Sequence, residues 1–192
     1  MLVFITGASS GIGKSTAEIF AANGHNLIIT GRRKERLTAI KTNLENKHGV
    51  EIRVLCFDIR KNEEVEKAVE SLSADEQKID LLVNNAGLAA GLSSIQDGQL
   101  SHWETMIDTN IKGLLYTTRI IAKLMIERKK GHIINIGSIA GKEVYANGNV
   151  YCATKHAVDA LNKAMRIDLL PYGIKVTAVN PGMVETEFSI VR

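Results

Sequence analysis

Six short runs rich in β-branched residues alternate with longer amphipathic segments, and this alternation constrains the fold more than any other feature. The runs cover residues 2–6, 26–30, 51–57, 80–83, 132–137 and 175–180. Most are apolar on both faces, as strands covered by helices on each side must be. Helical spacing fits residues 12–23, 33–48, 62–74, 103–129 and 150–170. Strict strand–helix alternation predicts an α/β, doubly wound parallel sheet of Rossmann type, with right-handed crossovers and helices on both faces. No Pro/Gly/Ser linker and no fixed-period repeat divides the chain, so residues 1–192 read as one domain, long enough for a full core.

The formal net charge of +3 is spread along the chain, and its basic clusters, Arg32-Arg33-Lys34 and Arg128-Lys129-Lys130, are short. They form no stripe, so nucleic acid is not an expected partner. No apolar run approaches the ~20 residues of a membrane span. Met1 to Ile5 pass directly into a glycine turn without the features of a signal peptide, so the expectation is a cytoplasmic protein without membrane contact. Cys56 and Cys152 need no more than a buried-thiol explanation, and no metal site is expected.

In a doubly wound sheet, ligands bind outside the carboxyl ends of the strands. The first strand is followed by Thr6-Gly7-Ala8-Ser9-Ser10-Gly11-Ile12-Gly13. These glycines let backbone N–H groups approach a pyrophosphate, and the helix N-terminus adds favourable partial charge. The spacing differs from G-x-G-x-x-G, and a plain tight turn is the competing reading. The second run ends at Gly31-Arg32-Arg33. An acidic residue here would suit NAD, whereas Arg32 and Arg33 suit the 2′-phosphate of NADP; the alternative is a solvated basic helix start. Asp58 and Ile59 end the third run, where the carboxylate meets an adenine amino group or caps the next turn. The fourth run leads into Asn84-Asn85-Ala86-Gly87, whose amides can tie loops together and whose glycine permits close ligand approach. Ser138 follows the fifth run, and Asn180-Pro181-Gly182 follows the sixth.

Tyr151 and Lys155 stand four residues apart, one turn from each other on one helix face. A phenol has a pKa of about 10, and lowering it by ~2–3 units takes ~3–4 kcal/mol. An ammonium about 4 Å away supplies ~4 kcal/mol at an effective dielectric near 20, enough to make a proton-exchanging tyrosine. Alone, such a pair is more often a buried aromatic beside a solvated lysine.

Together, T-G-A-S-S-G-I-G at 6–13, N-N-A-G at 84–87, Asn110, Ser138, Y-x-x-x-K at 151–155 and P-G at 181–182 resemble the short-chain dehydrogenase/reductase family. The resemblance runs the whole chain, in order. It implies that Tyr151 is the catalytic acid/base, that Ser138 orients the substrate oxygen, and that Lys155 holds the nicotinamide ribose and lowers the tyrosine pKa. Asn110 would position a water in a proton relay to Lys155. Gly7, Ser9, Ser10, Gly11, Ile12 and Gly13 would cradle the pyrophosphate, with Asp58 and Ile59 near the adenine. Asn85, Ala86 and Gly87 would line the adenine-side ribose region. Pro181, Gly182, Val184 and Thr186 would border the nicotinamide, the last two at its carboxamide.

A narrower likeness lies in Gly87-Leu88-Ala89-Ala90-Gly91, in residues 103–110, in residues 185–192 and in Gly31-Arg32-Arg33. These look like the NADP-dependent 3-hydroxy acid (serine or allo-threonine) dehydrogenases. The implied activity is NADP-dependent oxidation of a small 3-hydroxy acid at its 3-position. Arg192, past the Pro181-Gly182 turn, is a candidate carboxylate anchor, and a solvated arginine is the competing reading. Reduction of 3-oxoacyl thioesters or other small carbonyl compounds is a rival activity, and an NADP(H)-binding regulatory protein without turnover is a rival class. The family pattern continues with a substrate-loop helix and a further strand, which this chain does not reach. The resemblance also implies a homo-oligomer, a tetramer, through apolar residues of segments 103–129 and 150–170.

Overall fold

The computed structural model describes residues 1–187. Its strands are β1 (Leu2–Ile5), β2 (Asn26–Gly31), β3 (Ile52–Cys56), β4 (Leu81–Asn84), β5 (Gly131–Ile136) and β6 (Ile174–Val179). All pair in parallel, in the order β3-β2-β1-β4-β5-β6. The helices are α1 (Gly11–Ala22), α2 (Lys34–His48), α3 (Asn62–Glu70), α4 (Leu100–Ile107), α5 (Leu114–Arg128) and α6 (Asn149–Leu169). The expected doubly wound sheet is therefore present, with each anticipated strand found within two residues of its predicted limits.

Successive strand residues point to opposite faces, and the sheet sorts its side chains accordingly. Val3, Ile5, Leu27 and Ile29 meet Ala17, Ala21, Leu37 and Ile40 from α1 and α2. Phe4, Ile28, Leu82 and Ile133 meet Val65, Ile121, Met125 and Val158 from α3, α5 and α6. Each large side chain fully enclosed in these layers contributes about 1.5–3 kcal/mol relative to exposure. β2 is buried continuously from Leu27 to Thr30, whereas edge strand β6 buries Ile174 and Val176 and exposes Lys175 and Thr177. Continuous apolar patterning thus belongs to the sheet centre, and alternation to the edge.

Two predicted helices differ. The segment expected at 62–74 ends at Glu70. Ser71 Oγ donates to Ala68 O (2.7 Å), and Ser73 and Glu76 then cap each other's backbone N–H. Such local bonds offer the backbone an alternative to continuing the helix. The segment expected at 103–129 begins earlier, at Leu100, and is broken by a π-helical turn over Asp108–Gly113. A Cβ on Gly113 would lie 2.9 Å from Ile59 Cγ2, so the missing side chain lets this turn lie close against the loop after β3.

β1 is the switch point: chain order runs outward through β2 on one side and resumes at β4 on the other. The loops after β1 and β4 therefore open from neighbouring strands, and a cleft forms at their carboxyl ends.

Candidate active site

The loop after β1 is held from below by the loop after β4. Thr6 Oγ1, almost fully buried, accepts from the N–H groups of Asn85 and Ala86 (both 2.9 Å). Asn85 Nδ2 donates to Thr6 O (2.9 Å) and Gly7 O (3.1 Å). Gly7 has φ +65°, and a Cβ there would lie 2.8 Å from Ala86 Cα. A Cβ on Gly13 would lie 2.5 Å from Gly7 O. Only glycine fits either place.

These contacts leave the start of α1 open to an anion. Ser10, at the N-cap, makes no side-chain capping bond, and no acidic residue stands in the first turn. The first-turn N–H groups, Ile12 and Gly13 among them, lack intrahelical acceptors and carry the positive end of the helix dipole.

The basic end of the cleft lies beside this turn. Arg33 donates through Nε and Nη2 to Ser9 Oγ (3.1 and 2.8 Å) and through Nη2 to Ser10 Oγ (2.7 Å). Arg33 and Arg36 together hold the carboxylate of Glu187, with ion-pair distances of 3.3 and 2.7 Å. Those guanidiniums, Arg36 first, hold the Glu187 carboxyl below its usual range. Arg32 is exposed and contributes its carbonyl to Cys56 Sγ (3.5 Å). Two groups that accept anions, an uncapped helix start and an arginine pair already gripping a carboxylate, thus flank one cleft. This fits a dinucleotide carrying a pyrophosphate and a further phosphate.

Asp58 uses both carboxylate oxygens on Arg60, whose side chain and N–H it accepts from. Bonding to Arg60 holds its carboxyl below the ordinary range. The turn-capping reading of Asp58 therefore describes this structure. The side chain of Ile59 is buried in the core, against the π-helical turn at Gly113.

At the other end, Ser138 follows β5 at the start of a 3-10 turn, Ile139–Gly141, and its Oγ accepts from Ala140 N (3.1 Å). Tyr151 and Lys155 lie on the first turns of α6, with Lys155 Nζ 6.0 Å from the Tyr151 ring centroid. Lys155 is buried, and Nζ donates to Ile136 O at 2.9 Å. Burial lowers its pKa from 10.5 to about 8.

The π-helical turn presents Asn110 inward. Its Oδ1 accepts from Leu88 N (2.8 Å), and Nδ2 donates to Leu88 O (2.9 Å) and Thr154 Oγ1 (3.0 Å). Thr154 Oγ1 donates in turn to Tyr151 O (2.8 Å). Asn110 is thereby wired to the backbone of the tyrosine and to the loop after Gly87. A Cβ on Gly87 would lie 3.2 Å from Asn110 Oδ1 and 3.7 Å from Lys155 Nζ, so the three meet at one point. A narrow cavity beside Tyr151 is lined by Ser93, His102, Trp103, Met106, Asn147 and Asn149.

Thr186, after β6, lies over the glycine turn, where a Cβ on Gly11 would be 3.4 Å from Thr186 Cβ. Val184 is half-exposed, and Ile139 N donates to Pro181 O (3.0 Å), tying the Pro181-Gly182 turn to the segment after Ser138. Arg192 lies outside the described residues. Sequence reading missed Thr6, Thr154, Arg36 and Glu187. For Arg36 a signal existed, since it follows Arg33 by three on a helix and shares its face. Thr6 opens the glycine motif and Thr154 stands within Y-x-x-x-K, but neither position signals the hydrogen bonds its hydroxyl makes.

The comparisons with known proteins agree along the whole chain. The family profile described as short chain dehydrogenase matches residues 1–191. The chain is 48% identical to an NADP-dependent 3-hydroxy acid dehydrogenase, YdfG, of Salmonella typhi, over 100% of this chain and 76% of that protein. It is 43% identical to a sulfoacetaldehyde reductase of Chromohalobacter salexigens, covering 99% and 75% of the two chains. Among solved structures, the closed form of a serine dehydrogenase complexed with NADP+ superposes with TM-score 0.94 at 46% identity, covering 100% of this chain and 76% of that one. With its glycine turn, its buried Lys155 beside Tyr151 and this match from end to end, the chain belongs to the short-chain dehydrogenase family.

Proposed function

We propose that this chain is an NADP-dependent dehydrogenase that oxidises a small 3-hydroxy acid of the serine, allo-threonine or 3-hydroxyisobutyrate type at its 3-hydroxyl. The observation that carries the chemistry is the convergence of Asn110, Lys155 and Gly87 behind Tyr151. The relatives' names and the arginine pair support the coenzyme and substrate class.

Tyr151 takes the hydroxyl proton of the substrate, or returns it in the reverse direction. Lys155, charged at neutral pH, favours the phenolate that this requires. The Ser138 hydroxyl orients the substrate oxygen, and Asn110 holds the turn against which a relay water is positioned. When bound, the nicotinamide coenzyme supplies the hydride acceptor or donor. Its pyrophosphate is assigned to residues 7–13, its adenine side to Asp58, Ile59 and residues 85–87, and its carboxamide to Val184 and Thr186, beside Pro181 and Gly182. Arg33, with Arg32 at the rim, is assigned to the 2′-phosphate. Arg192 is the proposed carboxylate anchor, since an unpaired buried carboxylate is costly.

A second reading is reduction of a small aldehyde bearing an anionic group. The 43% identity to a sulfoacetaldehyde reductase favours it. Initial rates with NADP+ or NADPH should be compared for L-serine, L-allo-threonine, 3-hydroxyisobutyrate, their methyl esters, sulfoacetaldehyde and a 3-oxoacyl thioester. Free 3-hydroxy acids should lead, with esterification costing at least tenfold. A leading aldehyde or thioester would replace the substrate and keep the mechanism, while binding of NADPH without turnover of any compound would favour a regulatory protein.

We assign the protein to the cytoplasm; among the described residues, no helix is long and apolar enough to cross a membrane. A homotetramer is proposed through α4, α5 and α6. Leu114 and Met165 pack into the core, whereas Ile107 and Leu115 are exposed. Light scattering that gave a monomer mass at micromolar concentration would remove this assignment.

A further inference from the structure

Arg33 and Arg36 share one anion supplied by the chain itself. Glu187 Oε2 is 2.7 Å from Arg36 Nη1 and 3.3 Å from Arg33 Nη1, and Oε1 is 2.9 Å from Arg36 Nη1. The partners lie 151 and 154 residues apart in sequence, so the contact closes the segment after β6 over the basic end of the cleft. Thr186, one residue earlier, covers Gly11 of the glycine turn. Arg33 does not depend on Glu187 for its place, because Ser9 and Ser10 hold it independently.

We propose that Glu187 is an internal counter-ion of the 2′-phosphate cradle and that Arg36 is a cation of that cradle alongside Arg33. The coenzyme phosphate exchanges with the Glu187 carboxylate, so Glu187 sets how strongly NADP(H) is preferred over NAD(H). This rests on the NADP reading above.

The exchange follows from charge and exposure. All three side chains are close to half exposed, at 42%, 49% and 47%, and ion pairs between such groups are weak and readily broken. A phosphomonoester carries about −1.5 to −2 charges and three strong acceptor oxygens, against one charge and two oxygens on a carboxylate. Both anions cannot occupy the same guanidinium edges, and their mutual repulsion disfavours simultaneous binding. A 2′-hydroxyl carries no charge and has no need to displace Glu187. Removing the carboxylate therefore helps only the phosphate-bearing coenzyme.

The test is fluorescence titration of NADPH and NADH into wild type, Glu187→Gln, Glu187→Ala and Arg36→Met. Both Glu187 variants should bind NADPH about three- to tenfold tighter and NADH within about twofold of wild type, as expected for loss of exposed competing pairs. Arg36→Met should weaken NADPH about fivefold or more and leave NADH in place. Unchanged NADH binding also shows that each variant is folded. If wild type prefers NADPH and the Glu187 variants bind it equally or more weakly, the exchange is overturned while the NADP reading stands. An unchanged NADPH affinity in Arg36→Met would remove Arg36 from the cradle. If wild type does not distinguish the two coenzymes, the NADP reading falls and takes this inference with it.

Discussion

Lys155 and Arg33 are both cations facing the cleft at the carboxyl edge of the sheet, yet they are held in opposite ways. Lys155 is enclosed between α6, the end of β5 and the loop after β4, and burial brings its pKa to about 8. Arg33 is 42% exposed and grips two hydroxyls and a carboxylate at the rim. The buried cation acts through a low-dielectric path on one neighbour and lies within reach of pH. The exposed one is always charged but screened, and is tuned by salt and competing anions. In the proposed function, proton chemistry and coenzyme recognition occupy two electrical environments on one sheet edge.

Lys155→Met strikes the buried side and should have the largest effect. Losing the cation beside Tyr151 should lower turnover by ~10²–10⁴-fold, the usual weight of a positioned proton-transfer system. The same variant should change stability in a pH-dependent way. The unfolded chain keeps the ordinary value of 10.5, and the folded one about 8, so the unfolded state binds more protons between these limits. Stability of the coenzyme-free wild type therefore rises with pH across that window, and below it the full penalty of burying the charge applies, on the order of 3 kcal/mol. Lys155→Met should be more stable than wild type at pH 7, with an advantage that shrinks toward pH 10 in urea unfolding. A pH-independent difference would mean that Lys155 is not desolvated.

Gly13→Ala tests the hinge between the two sides. Its Cβ would press on Gly7 O and on the Asn85 amide that ties the two loops together. Binding of NADPH and NADH should weaken alike, by roughly 10- to 100-fold, or ~1.4–2.8 kcal/mol. An effect confined to one coenzyme would mean that the turn does not serve the shared pyrophosphate.

The smallest effect belongs to the rim. Arg33→Met should raise the Michaelis constant for NADP by about tenfold and hardly move that for NAD, and the difference should shrink as salt is raised. Equal losses for both coenzymes would make Arg33 a surface charge.

The same division governs what the sequence discloses. Glycines after a strand, Asn85 at a strand end and Tyr151 one turn from Lys155 are local patterns, and the fold brings them together as their spacing implies. The π-helical turn at Asp108–Gly113 is not legible, because a widened turn needs no distinctive residue and the run reads as one helix. Arg36 and Glu187 meet across 151 positions through exposed charges, which no periodicity marks. Asn135 hides inside an apolar run, and Asn84, although legible as a polar strand end, gives no sign of its pairing with Asn135 beside Asn162. Asn84 Nδ2 donates to Asn135 Oδ1 (2.9 Å) and Asn135 Nδ2 to Asn162 Oδ1 (3.0 Å), a buried ladder joining β4, β5 and α6 beneath the site. Asp58 shows the limit from the other side: its position at a strand end was plain, but its engagement by Arg60 depends on a local turn.

The central claim is that Tyr151 moves the proton while other residues hold the coenzyme, and Tyr151→Phe separates the two. The phenyl ring fills the same space without an exchangeable proton. Single-turnover hydride transfer and NADPH titration on the same preparation give both quantities. The account predicts a rate lowered by at least about 100-fold, with the NADPH dissociation constant within about threefold of wild type. A rate within a few-fold of wild type across neutral pH would contradict it.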